Sequence, residues 1–400
     1  MAIAIEQDQA VEQEQVIRVD IRQLAAAATL CRKARPGKHG GVAAWYVNVL
    51  VHGEYVYGGD PYETTVQAPH GGEYAHRAFA VPYDSITAAA KGRKGTVELR
   101  AGSIAFDDGA TFAWKDDAAA ADDMQSQRGI GVDEGGFIVD YDGATFRDAV
   151  AMVAPSASKD DSRPVLTGVY VDPDAGKWCA TDCYRMMIAN VPNAGVFDGF
   201  GDGGAIVPAS ALRIAAAVKG ADYYQVSIGG SNAAYVTRYA EILAGMRVDT
   251  FAAEFDAVIR TRLVEGQYPD YSALVPDGFA FSMDCDGDAL RAALQSAASV
   301  AGKNNPARLT ADSTRKYLAV RAGDSGQGSA GEWYVPCQYH GDTAGELTIG
   351  ANAAFVHDGA KCVGGNVVTL NVISALRPML LTSAGDGGAN PHYVVMPVRL

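Results

Sequence analysis

The segment VEGQYPDYSALVP, Val264–Pro276, decides how this 400-residue chain is read. It leaves a strand-like run at Gly266, and Pro269 then stops regular ladder pairing because it has no N–H to donate. Pro269 and Pro276 fix their own φ and restrict the residues before them, so the path between them is extended. Tyr268, Tyr271, Leu274 and Val275 lie on that path without an obvious local partner for their apolar surface. On residue chemistry alone the segment is an ordered connector between domains.

On both sides of it the chain repeats itself. FAVPYDSITAAAKG (Phe79–Gly92) and AIVPASALRIAAAVKG (Ala205–Gly220) share one plan: strand end, proline at a helix entrance, Ala-rich helix and Lys-Gly stop. LTIGANAAFVHDGAKCVGG (Leu347–Gly365) repeats it more loosely. A second helix type also comes three times, at Asp20–Ala34, Asp142–Ser156 and Asp286–Gly302. Each opens on an Asp suited to capping or to the first turn, and recurs in apolar residues at three and four. Strand-turn-strand segments such as Ala43–Asp60 and Pro164–Asp182 lie between the helix types. A period on the order of 120–140 residues is too long for a solenoid unit. The expectation is an α+β fold of three homologous domains, each with two helices packed on antiparallel sheet. Their bounds are 16–127, 131–276 and 277–400, with Asp116–Asp123 as an acidic, Ala-rich connector. Ala322–Gly331 is expected to be a surface loop.

Bulk properties agree with a multidomain globular protein: 48% hydrophobic and 20% charged residues. No run approaches the roughly 18 apolar residues that span a membrane, and no basic-then-apolar leader is present, so a cytoplasmic protein is expected. Residues 1–15 carry Glu6, Asp8, Glu12 and Glu14 without a basic residue, and read as a disordered acidic tail. Six scattered cysteines fit a reducing compartment better than a disulfide framework. Cys179 and Cys183 lack a histidine-rich partner segment, so no metal is expected there.

No catalytic constellation emerges, and the expectation is a protein without enzymatic activity or cofactor. GFGDGG (Gly199–Gly204) fits GxGxxG by letter but leads into a strand rather than a helix. The phosphate-loop, GxSxG and HExxH patterns are missing, and the seven histidines stand apart. A net charge of −14 argues against a surface that coats nucleic acid. It leaves room for a restricted basic face, because every expected helix has cations in or just after it. These are Arg22, Arg32, Lys33, Arg35, Lys38, Lys91, Arg93, Lys94, Arg147, Arg213, Lys219, Arg291, Lys303 and Lys361. Singly, each complements a helix dipole; together they would hold a phosphate backbone by charge, without base readout.

The connector, the last residues YVVMPVRL (Tyr393–Leu400), RPVLTGV (Arg163–Val169) and ATDCYRM (Ala180–Met186) resemble the bacterial DNA polymerase III beta sliding clamp family. The resemblance spans residues 18–400. It implies a head-to-tail homodimer whose six similar domains close a ring, helices lining the hole and sheets forming the outer wall. Such a ring encircles duplex DNA without regard to sequence and tethers the replicative polymerase as a processivity factor. It is opened by a clamp loader, and it works in the cytoplasm at the nucleoid. The alternative is a clamp-fold interaction or regulatory protein that binds replication proteins without closing a ring.

The same resemblance implies a hydrophobic cleft between the second and third domains that takes linear motifs of partner proteins. Carried over by motif, it comprises Arg163, Leu166, Thr181, Tyr184, Arg185 and Met186, then Pro269, Ala273, Leu274 and Val275 from the connector. Phe355, Leu376 and Pro378 join from the third domain, and Val394, Met396, Pro397, Val398 and Arg399 complete it. Cys183 and Tyr184 replace a common Gly-His or Gly-Tyr, and Ala273 a frequently basic residue, which implies a different peptide preference. By analogy Phe112 and Trp114 form the dimer contact with Val300 and Ala301 of the other subunit.

Overall fold

The computed structural model describes residues 16–35, 43–127, 136–192, 195–197, 204–229, 239–247, 253–301, 306–312, 314–323, 329–341, 346–383 and 391–400. The acidic tail, Lys38, Lys303 and most of GFGDGG lie outside them. Helices α1 (Ile21–Lys33), α2 (Ala43–Val47), α3 (Tyr83–Ala90) and α4 (Ala118–Gln127) come first. They are followed by α5 (Gly143–Val153), α6 (Ala209–Ala216), α7 (Gly287–Val300) and α8 (Ala353–Cys362).

The two expected helix types are α1, α5 and α7 on one hand and α3, α6 and α8 on the other. Asp20 caps α1 by accepting the Arg22 and Gln23 N–H groups, each at 2.9 Å. Asp286 does the same for α7 through Ala289, at 2.8 Å. An uncapped first turn leaves four N–H groups unpaired, so these short carboxylates fix where each helix begins. At the exits, Gly92 (φ +72°) and Gly220 (φ +82°) are left-handed, and nothing lies within 4 Å of where a Cβ would stand. Conformation alone, not crowding, selects glycine there.

Two sequence expectations are corrected. Asp116–Asp123 is not a plain connector, because α4 begins within it. Ala121 and Met124, one turn apart, are buried with Trp45, Leu50, Ala78 and Ala80. Ala43–Asp60 is not all strand. It opens with α2, which buries Trp45 completely, and then forms the hairpin strands Asn48–Gly53 and Tyr55–Asp60.

The chain forms two compact units, residues 1–143, 194–201 and 210–263 in the first and 144–193, 202–209 and 264–400 in the second. In the first, α1 packs on α3. Its nine-stranded sheet is made continuous by strand Ala253–Arg262 pairing with strand Thr64–Pro69. A separate four-stranded sheet ends on strand Thr111–Ala113. In the second, α7 packs on α8 and a twelve-stranded sheet spans the unit. Strand His392–Val395 makes that sheet continuous, pairing with Arg185–Asn190 on one side and Met379–Ser383 on the other. The ladders are antiparallel. Strand Val367–Val372 buries Val368, Leu370 and Val372 and leaves the alternate residues less buried, as a sheet covered on one face requires.

Candidate functional site

Around the connector, three segments of the second unit meet. The first is the turn Thr181–Met186. One Asp182 oxygen accepts the N–H groups of Tyr184 and Arg185, both at 3.0 Å, an Asx turn that reverses the chain. The Thr181 hydroxyl donates to the Arg185 carbonyl at 2.7 Å and accepts the Cys183 N–H at 3.1 Å. Cys183 sits at φ +72°, the one non-glycine residue in the left-handed region among those described. A side chain in that region carries a steric cost that glycine would not. Its exposed thiol accepts Arg163 Nη1 at 3.1 Å.

The second segment is the connector itself. Tyr268 is not without a partner, as its sequence suggests: it is buried, its ring stacked on Tyr170 at 5.1 Å and 13°. The Tyr271 hydroxyl donates to Asp172 at 3.1 Å. Asp270 accepts from the Ser272 hydroxyl at 2.6 Å and from the N–H groups of Ser272 and Ala273, which starts a 3-10 turn, Ser272–Leu274. These bonds, that from the Ser272 hydroxyl foremost, hold its carboxyl below the usual carboxylate range. Gly266 (φ +124°) is required, because a Cβ there would press on Val165. Val275 packs inward, whereas Leu274 remains 53% exposed.

The third segment is the C-terminal one. Val394 pairs across the sheet with both Met186 and Leu380, and is buried with them. Beyond the strand, the Met396 N–H donates to the Tyr184 carbonyl and the Val398 N–H to the Gly350 carbonyl, each at 2.8 Å. The Leu400 side chain approaches Gly350, where a Cβ would stand 2.9 Å from Cδ2.

The expected cleft residues therefore divide. Met186 and Val394 form the floor with Cys179, Ile188, Ile206, Tyr268 and Leu380, and Val275 packs on it. Leu166 and Thr181 are buried too. Tyr184, Leu274, Leu376, Met396 and Val398 are exposed, Leu376 by 76%. Arg163, Pro269, Ala273 and Arg399 are exposed as well, while Pro378 and Pro397 are half-buried. Leu376 and Pro378 reach the floor only through the strand that follows them, whose Leu380 is part of it.

Arg185 is a structural hub. Its side chain is 11% exposed and donates to Asp182 at 3.0 Å, to Asp358 at 2.6 Å and to the Pro155 carbonyl at 2.7 Å. It also lies over the Phe355 ring at 4.4 Å. Each guanidinium nitrogen donates, so Arg185 and Phe355 hold the turn and α8 rather than offer free surface. Asp182, Asp358 and Tyr170 are the residues that sequence reasoning passed over.

The cationic residues divide in a similar way. A groove of about 810 Å³ in the first unit collects Lys33, Arg93 and Lys219 together with Arg22, along one flank of α1. Lys91 and Lys94 are exposed, as is Lys361 in the second unit. Arg32 faces Asp84 at 3.7 Å, Arg35 lies over Tyr46, and Arg93 is bound to Asp108 at 2.9 Å and stacked on Phe106. Arg213 is exposed, and Arg147 is half-buried. Arg291 caps the end of α8 through the Ala360 and Gly365 carbonyls and pairs with Asp288. At the edge strand, Phe112 meets Phe106 edge-on at 6.0 Å, and Trp114 is half-buried. Val300 ends α7 and Ala301 follows it, both half-buried. No cluster of three potential metal ligands occurs among the described residues, and none of their helices is long and apolar enough to cross a membrane.

Comparison with known proteins points to one family. Residues 141–270 match the central domain, and residues 272–399 the C-terminal domain, of the DNA polymerase III beta subunit. The beta sliding clamp of Streptomyces coelicolor is 31% identical over 64% of this chain and 65% of its own length. That of Synechococcus elongatus is 29% identical over 61% of each. The chain thus spans somewhat less than two thirds of the length of these curated relatives. Among solved structures, the beta subunit of Borrelia burgdorferi superposes with a TM-score of 0.78 at 15% identity, over 96% of this chain and all of the other. That of Thermotoga maritima gives 0.74 at 19%, with the same coverage. The likeness in fold thus reaches the first 140 residues as well. With two successive domains matched over more than half its length, the chain belongs to the DNA polymerase III beta subunit, or beta sliding clamp, family.

Proposed function

We propose that this protein is a DNA sliding clamp: a head-to-tail homodimer of three-domain chains, closed into a ring around duplex DNA. The observation that carries the reading is the clamp fold over 96% of the chain, joined to a partly exposed apolar site at the connector. Retention on DNA is topological. The modest basic groove at α1 and a net charge of −14 suit that role, since strong phosphate affinity would oppose sliding. No bond is made or broken. The protein acts as a processivity factor in the cytoplasm, at the nucleoid during replication.

The apolar site takes linear motifs of the replicative polymerase, the clamp loader and other partners. In this reading the exposed Leu274, Met396 and Val398, with Leu376 ahead of the strand that carries Leu380, serve a floor that includes Met186 and Val394, on which Val275 packs. Seating a partner's Leu or Phe there is worth roughly 1.5–3 kcal/mol per side chain. The dimer forms through the edge strand bearing Phe112 and Trp114, against Val300 and Ala301 of the partner subunit. A fluorescent peptide from the polymerase C-terminus tests the site: binding to the full chain and loss of binding on deleting Met396–Leu400 are expected. Unchanged affinity in the deletion would overturn the assignment. Light scattering tests the assembly, with a dimer expected at micromolar concentration and a monomer contradicting the ring.

A further inference from the structure

Two cysteines 52 positions apart in sequence stand opposite each other in the sheet of the second unit. Cys285 on strand Phe281–Asp286 is the direct cross-strand partner of Cys337 on strand Ala330–Gly341. The Cys337 N–H is spent on the other flank, donating to the Lys316 carbonyl at 3.1 Å. A strand residue directs its N–H and C=O to one side, so towards Cys285 the pair is of the non-hydrogen-bonded kind. Such pairs have Cα atoms about 4.5 Å apart and the closest side chains. That spacing lies inside the roughly 4.4–6.8 Å range that a disulfide bridges. Both side chains point to the same face, where Cys285 is fully buried and Cys337 half-buried.

We propose that Cys285 and Cys337 form a dithiol site that closes reversibly into a cross-strand disulfide by exchange with small-molecule disulfides. The two thiols play different parts. A hydrogen bond from Cys285 holds the Cys337 thiol below its ordinary pKa, while that bond and burial push Cys285 well above. The reachable sulfur is thus the one that ionises, and the thiolate is the nucleophile. The Cys337 thiolate attacks one sulfur of the small disulfide, forming a mixed disulfide and expelling a thiolate. Cys285 then attacks the Cys337 sulfur, passes its proton to the medium and expels the second thiolate. Two electrons pass from the cysteine pair to the small disulfide, and the two thiol protons end on the two released thiols. The clip would tie the strand that ends at the α7 cap to its neighbour.

Full-length protein carrying Cys183→Ser, which removes the exposed thiol, is incubated folded with oxidised glutathione, alkylated and digested. The expected product is a Cys285–Cys337 peptide lighter by two hydrogens and restored by reductant, with Cys31, Cys179 and Cys362 alkylated after unfolding. Cys337→Ser should prevent any reaction at the site, and Cys285→Ser should halt at a glutathione adduct on Cys337. A stable adduct on Cys337 in protein that retains Cys285 would overturn the proposal. So would two free thiols after prolonged incubation.

Discussion

At the scale of single residues, Arg185 and Cys183 set the local energetics of the site. Removing the Arg185 guanidinium takes the side-chain donor from Asp182 Oδ2, on a carboxylate 15% exposed, and removes the charge partner of Asp358. Arg185→Ala should therefore destabilise the protein by about 2–4 kcal/mol in urea unfolding. Lysine should not rescue it, because one ammonium cannot replace three directed donors. An Arg185→Lys variant as stable as the parent would contradict the hub. Cys183→Gly should act in the other direction, gaining up to about 1 kcal/mol by relieving the left-handed strain, less the contact to Arg163. A clear loss of stability would show that the thiol contact outweighs the strain. Sequence resemblance marked Arg185 as a cleft residue. Its hub role was not legible, since Asp358 lies 173 positions away and the accepting Pro155 carbonyl is backbone. Tyr268 was misread for the same reason: its stacking partner Tyr170 is brought to it only by the tertiary fold.

At the scale of elements, the repeated helices were legible from their punctuation: Asp at the start of α1, α5 and α7, and Pro before and Gly after α3 and α6. Helix α4 was not, because AAAADDMQSQ offers only Ala121 and Met124 as a buried pair. Met124→Ala should cost about 2–4 kcal/mol, since the cavity opens beside Trp45 and Leu50. A cost within about 0.5 kcal/mol, as at an ordinary surface position, would mean that α4 is a loose connector after all. The C-terminal segment depends on Gly350, against which the Val398 carbonyl and the Leu400 side chain are packed. Gly350→Val should dislodge Val398–Leu400 and weaken peptide binding at least tenfold, or about 1.4 kcal/mol. Peptide titration beside a light-scattering mass would check it. Unaltered affinity would separate the tail from the site.

At the scale of the whole molecule, acidity and DNA engagement are compatible if contact is confined to one helical surface and holding is topological. Lys33, Arg93 and Lys219 gather in the α1 groove, while ion pairs and stacking restrain Arg32, Arg93 and Arg291. Affinity for open linear duplex should therefore be weak and fall with salt along a shallow slope. The central claim is tested most directly on DNA that changes topology. The protein is placed on a nicked circle by a clamp loader, isolated with it, and the circle is cut once by a restriction enzyme. Loss of the protein after cutting, and retention on the uncut circle at the same salt, is the predicted result. Equal retention on both forms would mean that the chain binds DNA by its surface and does not encircle it.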